Sequence, residues 1–329
     1  KMKLYNRLPV LGQNLVCSYE GRRINRTRYG EAFWRRLNEY ESRSGWSFER
    51  LCDYHDTRLR NLIRHCFETV PHYTKLFNEY GINPESVKTL EDLKLLPILT
   101  KQVVSTDPES FLSTAISKES MLTMHTSGTT GSGFIFKTTN EAVWEQWAVW
   151  WRYRRAIGIQ YGTLCAHMGG RSVVPIDRMS PPFFRWNKPG NQMYFSTYHM
   201  SQGNLPNYIE TIRKNNARWL HGYPSAINLR AECVLENGIR MDLDVVTIGA
   251  ENLLESQRIN IRNAFGVEPY QHYGLSEASA NFSEDREHIM KVDEDFCAVE
   301  FIPRSDGGES DIIGTCLCNY AMPLLRYAT

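Results

Sequence analysis

The spacing of apolar residues changes along the chain, and each change marks a different kind of element. Within residues 1–50, a stretch rich in Arg, Tyr and Trp, Phe33, Trp34 and Leu37 recur at helical spacing and predict a helical arm lying on the main body. Between Phe48 and Tyr80, Leu51, Leu59, Leu62, Ile63, Cys66 and Phe67 repeat at three and four residues, with Pro71 and Gly81 as punctuation, so a helical hairpin is expected. His55, His65 and His72 in that stretch read as fillers of surface or core. Lys101 opens another helix after Pro97. Met121-Leu122-Thr123-Met124 and Phe134-Ile135-Phe136-Lys137 read as two strands joined by a turn longer than a simple hairpin needs.

Thr138-Thr139-Asn140-Glu141 reads as a capping box with Thr138 as the cap. In the helix that follows, Val143, Trp144, Trp147, Ala148 and Trp151 form an apolar stripe, and Arg152, Arg154 and Arg155 gather in the last turn, where cations complement the helix dipole. The tryptophans read as core, with one edge able to line a pocket. Thr163–Met168 reads as an apolar strand running into Gly169-Gly170-Arg171, and residues 175–200 as an ordered loop excursion. From Leu205 the alternation becomes regular: helix over 205–215, strand over 217–221, helix over 224–237, strand over 244–249, helix over 252–265 and strand over 269–273. Beyond residue 285 come short strands over 296–302 and 311–319. Strands alternating with helices imply parallel βαβ units with helices covering the sheet. The expected fold class is therefore α/β, with parallel βαβ sheets, an N-terminal helical arm and a small β-rich C-terminal part. The expected organisation is an arm over 1–80 packed on a large domain over 81–329, whose β-rich subdomain starts at about 285.

Composition narrows the setting. The 329 residues are enough for a substantial core, and 38 basic against 37 acidic residues give the whole chain no electrostatic bias towards nucleic acid. No apolar run is long enough to insert in a membrane, and no charged-then-apolar leader is present, so a soluble, cytoplasmic chain is expected. The eight cysteines are scattered without metal-site spacing, and Cys316 and Cys318 lie too close along the chain for comfortable bridging, so reduced thiols are expected. The arginines of the first fifty residues read as a solvated face or a partner contact, with a homodimer left open.

The densest chemistry lies in His125-Thr126-Ser127-Gly128-Thr129-Thr130-Gly131-Ser132-Gly133. Its glycines permit positive φ and close approach, its hydroxyls can donate to anionic oxygens, and successive amides in such a turn form an anion-binding concavity. A polyphosphate cradle is the functional reading; a polar surface loop is the plain one. No Lys-Ser or Lys-Thr closes the stretch, so it is not a Walker A loop. Gly249-Ala250-Glu251 and Tyr273-Gly274-Leu275-Ser276-Glu277 fall at the carboxyl ends of successive expected strands, where an open α/β sheet places its ligand crevice. Tyr273 offers a flat face for a heterocycle. Glu277 suits a magnesium ion bound through phosphates, or caps a following helix.

Thr126–Gly131 resembles the phosphate-loop motif of the adenylate-forming superfamily, the acyl-CoA synthetases and their relatives. Gly249-Ala250-Glu251, Tyr273–Glu277 and Met322-Pro323-Leu324-Leu325-Arg326-Tyr327 resemble its later motifs, in the same order, over roughly residues 60–329. The wording of the last two is similar to the phenylacetate–CoA ligase branch, and Gly169-Gly170-Arg171 with the segment 293–303 to its capsular-polysaccharide (CapK-like) members. The resemblance implies that Thr126, Ser127, Gly128, Thr129, Thr130 and Gly131 hold the phosphates of ATP. It implies that Gly249, Ala250 and Glu251 line the adenine site, that Tyr273 and Gly274 meet the base, that Ser276 touches the α-phosphate, and that Glu277 binds Mg2+. Thr126 and Glu277 are then the catalytic candidates. His167, Gly169, Gly170 and Arg171 are candidates for the acid pocket, His167 reading equally as a packed strand histidine.

The activity so implied is ATP-dependent conversion of a small-molecule carboxylic acid to an acyl-adenylate, then a thioester with CoA or a carrier-protein thiol, in polysaccharide or secondary-metabolite biosynthesis. Nucleotidyl transfer to a hydroxyl of a sugar or coenzyme, and an inactive scaffold in polysaccharide assembly, are the alternatives. Two departures stand out. Where many relatives carry a lysine after the loop, this chain has Ser132-Gly133-Phe134, with Lys137 further along. The small mobile domain of the family, with its ribose-binding aspartate and catalytic lysine, is expected beyond residue 329, so the chain alone is expected to bind nucleotide with little turnover.

Overall fold

The computed structural model describes residues 2–126, 133–304 and 307–328. In chain order the helices begin with α1 (Met2–Asn6), α2 (Val10–Arg28), α3 (Glu31–Arg43), α4 (Phe48–Thr69), α5 (Pro71–Glu79) and α6 (Lys101–Thr106), before strands β1 (Leu122–His125) and β2 (Ile135–Thr138) and helix α7 (Asn140–Ala156). There follow β3 (Cys165–Met168), β4 (Phe184–Asn187), β5 (Gln192–Phe195), α8 (Leu205–Lys214), β6 (Trp219–Gly222), α9 (Pro224–Glu236), β7 (Val245–Gly249), α10 (Glu255–Phe265) and β8 (Pro269–Gly274). Five short strands complete the chain: β9 (Asn281–Glu284), β10 (Met290–Val292), β11 (Cys297–Pro303), β12 (Ser310–Cys316) and β13 (Tyr327–Ala328). The chain divides into two compact units, one of Lys1–Gly30, Arg154–His272 and Glu284–Met290, the other of Glu31–Tyr153, Tyr273–Ser283 and Lys291–Thr329.

In the first unit the strands run in the order β4-β5-β3-β6-β7-β8, parallel throughout except for β4 against β5. Alternation along each strand separates two faces. Ala166, Met168, Met193, Leu220, Val246 and Ile248 turn to one side and share a core with Tyr208 and Ile212 of α8, Ile227 and Val234 of α9, and Ile261 and Phe265 of α10. Each fully buried side chain of this size contributes roughly 1.5–3 kcal/mol. α10 closes on Gly266 at φ +70°, the left-handed cap that a residue with a Cβ adopts at a cost.

The second unit packs α4 and α5, through Leu59, Leu62, Ile63, Cys66, Tyr73 and Phe77, against Leu317, Leu324, Leu325 and Tyr327. The last strands form the sheet β11-β12-β13. Beneath α7 lies an ion network: Arg152 reaches Asp293 at 2.7 Å and Asp295 at 2.8 Å, Arg43 reaches Asp295 at 2.7 Å, and Arg58 reaches Glu145 at 2.8 Å. Asp293 and Asp295, in the segment after β10, are thus held as structural ion pairs.

Several local expectations are corrected. Residues 175–200 hold a pair of antiparallel strands, β4 and β5, in which large apolar residues pair across the ladder, Phe184 opposite Phe195 and Trp186 opposite Met193. The cap of α7 is Thr139, whose hydroxyl accepts from the Ala142 amide at 3.3 Å; Thr138 ends β2 and its buried side chain is spent on the strand. The buried face of α7 is centred on Ala142, Gln146, Ala148, Val149, Trp151 and Tyr153, so Val143, Trp144 and Trp147 are only half-buried. α10 starts at Glu255, because Leu254 stays extended and donates its amide to the Gln257 side chain at 3.1 Å. β12 ends at Cys316, where the chain turns and brings Cys318 Sγ to 3.6 Å from Cys316 Sγ as free thiols.

Candidate functional site

The carboxyl end of the parallel strands is built by register. His167 on β3, His221 on β6 and Thr247 on β7 are direct neighbours, so their side chains form one row on the face opposite the helices. The His167 and His221 rings lie 5.2 Å apart, and Tyr194, opposite His167 on β5, meets it edge-on at 5.5 Å. Thr247 Oγ1 serves both the Trp219 indole, which donates at 2.8 Å, and His221 Nδ1 at 2.9 Å. Burial, then the Arg171 and Arg154 guanidiniums, push His167 down to about 3. Burial and the neighbouring His167, Arg154 and His272 also hold His221 well below the ordinary imidazole range. The row is therefore neutral at physiological pH.

Glycines let the strand ends converge. A Cβ on Gly222 would stand 2.3 Å from the Met168 carbonyl oxygen, and one on Gly170 would stand 2.7 Å from the Tyr223 hydroxyl. Gly169 is buried against the His167 ring, and Arg171 is exposed with its guanidinium 4.8 Å from the Tyr194 ring centre. Past β7, Ala250 takes φ +67°, a strained value for a residue with a Cβ. The reversal turns Glu251 back onto the start of α9, where its carboxylate accepts from Ser225 Oγ at 2.7 Å and from the Ser225 amide at 3.3 Å. A carboxylate there is favoured by the helix dipole. Gly249 itself pairs with His272, the residue before Tyr273.

In the second unit β1 and β2 form an antiparallel hairpin registered from Leu122↔Thr138 to His125↔Ile135. Ser127, Gly128, Thr129, Thr130 and Gly131 lie outside the described residues. The neck of their loop is described: the Thr126 amide donates to the Phe134 carbonyl at 2.9 Å, the Thr126 hydroxyl accepts from the Phe134 amide at 2.9 Å, and a Cβ on Gly133 would lie 2.6 Å from the Thr126 carbonyl oxygen. Thr126 thus closes the neck through its amide and its hydroxyl. Lys137 donates to Thr123 Oγ1 at 2.7 Å across the hairpin.

Tyr273 packs edge-on against Phe282 at 5.2 Å. Gly274 and Ser276 are exposed, and Leu275 to Ala280 form a tight turn closed by the Leu275 amide on the Ala280 carbonyl at 3.1 Å. No helix follows Glu277, which removes the helix-cap reading. Its side chain is buried beside the Tyr327 hydroxyl; burial pushes its carboxyl above the usual range, and Lys101 only partly offsets this. A buried carboxylate in that state is one a divalent cation would stabilise, so Glu277 fits the donor expected for Mg2+. Arg326 of the last motif forms a two-pronged pair with Glu300 at 2.9 and 2.8 Å and donates to the Leu96 carbonyl, a fastening role.

No protein-family model matches the chain. It is 24% identical over 326 residues to Protein CapK of Staphylococcus aureus, covering 98% of this chain and 71% of that one. It is 28% identical over 305 residues to the phenylacetate–coenzyme A ligase of Aromatoleum evansii, covering 83% and 63%. These likenesses support the phenylacetate–CoA ligase and CapK-like branch of the adenylate-forming superfamily. The fold of the chain is similar to that of 2-hydroxyisobutyryl-CoA ligase, solved in the postadenylation state with an acyl-AMP: TM-score 0.63 at 16% identity, over 83% of this chain and 61% of that one. The chain thus spans between about three fifths and seven tenths of the length of these relatives.

Sequence reasoning named His167 but missed its row with His221 and Thr247, and missed Trp219, Tyr223 and Ser225. The signal was present as alternation: Trp219-x-His221 and Tyr270-x-His272 place polar aromatics every second residue, on one face of a strand, and His167 takes the same place two residues after Cys165.

Proposed function

We propose that this chain binds ATP and activates a carboxylic acid as its acyl-adenylate, acting as an acid–thiol ligase that passes the acyl group to CoA or a carrier thiol. The observation that carries the reading is the run of family motifs at strand ends and turns: the glycine–hydroxyl loop after β1, Gly249–Glu251 after β7, and Tyr273–Glu277 after β8. Similarity to proteins named as phenylacetate–CoA ligases supports the acid and thiol substrates. In this proposal Thr126–Gly131 grip the phosphates, Gly249, Ala250 and Glu251 border the adenine, Tyr273 and Gly274 meet the base, and Ser276 approaches the α-phosphate. Glu277 holds a magnesium ion, which when bound supplies charge neutralisation at the phosphates. Catalysis then rests on holding the acid carboxylate in line with the α-phosphorus.

His167, Gly169, Gly170 and Arg171 are proposed to receive the acid. Neutral His167 and the Tyr194 ring give that region aromatic walls, and exposed Arg171 offers a guanidinium for a carboxylate. The likeness of Gly169–Arg171 and of 293–303 to CapK-like members extends the proposal to polysaccharide or secondary-metabolite biosynthesis. The test is calorimetric titration with ATP, AMP and GTP in magnesium, beside a Ser127→Ala/Thr129→Ala variant, followed by pyrophosphate exchange across a panel of acids. Selective adenine-nucleotide binding lost in the variant, with exchange dependent on one class of acid, is the expected result. Label from ATP appearing on a hydroxyl product, with no acid-dependent exchange, would replace this reading with nucleotidyl transfer.

A further inference from the structure

Helix α2 turns polar side chains inward and leaves large apolar ones exposed. Its inward face is polar: Gln13 accepts from Arg185 Nε at 2.6 Å, Asn14 from the Trp186 amide at 2.9 Å, Ser18 bonds the Trp186 carbonyl at 3.2 Å and the Lys188 amide at 3.2 Å, and Asn25 donates to the Pro189 carbonyl at 2.8 Å. These bonds occupy the Trp186 backbone of the edge strand β4 and the chain just after it, and Gly21 is needed because a Cβ there would collide with the Asn187 side chain. The outward face is apolar where a surface helix is normally charged. Leu11 is 77% exposed, Leu15 72% and Tyr19 74%, and Leu4 on α1 is 71% exposed.

At a hundred degrees per residue, Leu11, Leu15, Tyr19, Arg22 and Arg26 fall within one quarter of the helix circumference. The stripe is apolar over its first half and cationic over its second, and both arginines are exposed. Residues 1–30 hold seven basic side chains against one acidic, Glu20, which is already paired with Arg23 at 2.6 Å. The chain as a whole is nearly neutral at +1, so the basic charge of this arm is local.

We propose that the outward face of this N-terminal arm is a peripheral docking surface for an anionic lipid bilayer. Leu11, Leu15 and Tyr19 enter the boundary between headgroups and acyl chains while Arg22 and Arg26 meet lipid phosphates. Exposed leucines and a tyrosine continued along the helix by arginines combine apolar area to bury with attraction to anionic headgroups. Among the described residues no helix is long and apolar enough to cross a membrane, so the contact is peripheral. A second copy of the chain is the competing occupant. Charge decides against it: pairing two such arms brings like charges together, whereas an anionic surface neutralises them. The proposal is independent of the ligase activity proposed above.

The test is co-sedimentation of the whole chain with vesicles of phosphatidylcholine alone and with about one third phosphatidylglycerol added. Leu11→Ser/Leu15→Ser and Arg22→Glu/Arg26→Glu variants run alongside, their folding checked by thermal melting; neither touches the inward bonds that hold α2. Expected are binding to the anionic vesicles only, at least a tenfold loss in each variant, and a similar loss when salt rises from about 0.05 to 0.5 M. Failure of the folded parent to sediment with anionic vesicles, or equal binding to neutral ones, would overturn the proposal. So would a dimer by analytical ultracentrifugation that the Leu11→Ser/Leu15→Ser variant dissociates.

Discussion

Gly314, in the middle of β12, is the spacer on which the Glu277 turn rests, and replacing it with alanine isolates that role. A Cβ at this position would lie 2.3 Å from the Ser279 carbonyl oxygen and 2.7 Å from its carbon, both backbone atoms. The turn cannot retreat freely, because the Leu275 amide to Ala280 carbonyl bond at 3.1 Å closes it and Gln146 donates to the Leu275 carbonyl at 2.9 Å. Forcing a methyl group into such a contact costs about 1–3 kcal/mol, while alanine in a strand recovers about 0.5–1 kcal/mol of the entropy that glycine loses. A net loss of roughly 1–2 kcal/mol is expected, equivalent to a few degrees in Tm for a chain of this size. Displacement of the turn also moves Glu277, so magnesium-dependent ATP affinity is expected to fall about tenfold. The assays are differential scanning calorimetry and nucleotide titration. Gly45→Ala serves as control, since nothing lies within 4 Å of the added atom and its backbone is outside the left-handed region. A Gly314→Ala protein with the parent Tm and the parent nucleotide affinity would refute the spacer argument.

Glu277→Gln is expected to keep or slightly raise Tm, since it removes a carboxylate whose burial disfavours charge, while lowering magnesium-dependent ATP binding about tenfold or more; a fall in Tm with affinity intact would make Glu277 a structural residue. Arg152→Leu leaves Asp293 and Asp295 buried beside an apolar side chain and is expected to destabilise by about 3–5 kcal/mol in urea unfolding, far more than Arg23→Leu at an exposed pair. His167 titrates near 3 when folded and near 6.5 when unfolded, so the unfolded chain takes up a proton the native state refuses. Its contribution to stability is therefore complete above about pH 7.5 and is lost as pH falls through 6.5 towards 3, reaching at most about 2 kcal/mol by pH 5. The urea midpoint measured across that range should fall less steeply in His167→Phe, and an unchanged slope would count against a neutral buried imidazole.

How much of this was legible without coordinates depends on the range of the forces involved. The helices and strands from Leu205 to Gly274 were readable because period and punctuation are local: β6, α9, β7 and β8 lie within a few residues of where apolar spacing and Gly238 or Gly266 put them. The hairpin around the hydroxyl–glycine loop was readable for the same reason, two short strands flanking a stretch too polar to pack. β4 and β5 were not, because proline and arginine mask a pair of strands whose stability comes from the β3 edge on one side and the polar face of α2 on the other. The cap of α7 slipped by one residue because Thr138 and Thr139 are equivalent locally, and only the pairing of Thr138 with Leu122 commits the first of them to a strand.

The amino-acid sequence by itself therefore determined the fold class, the order of the motifs proposed for the nucleotide and the side-chain chemistry of each, since backbone conformation and donor type are properties of short stretches. The tertiary structure alone decided which distant groups meet. It set His167, His221 and Thr247 in one row, turned Glu251 onto Ser225, laid the Ser279 carbonyl against Gly314, and directed the polar side of α2 inward. The reason is physical: partners separated by tens of residues are selected by strand register and by burial summed over a whole core, and no local spacing carries that sum.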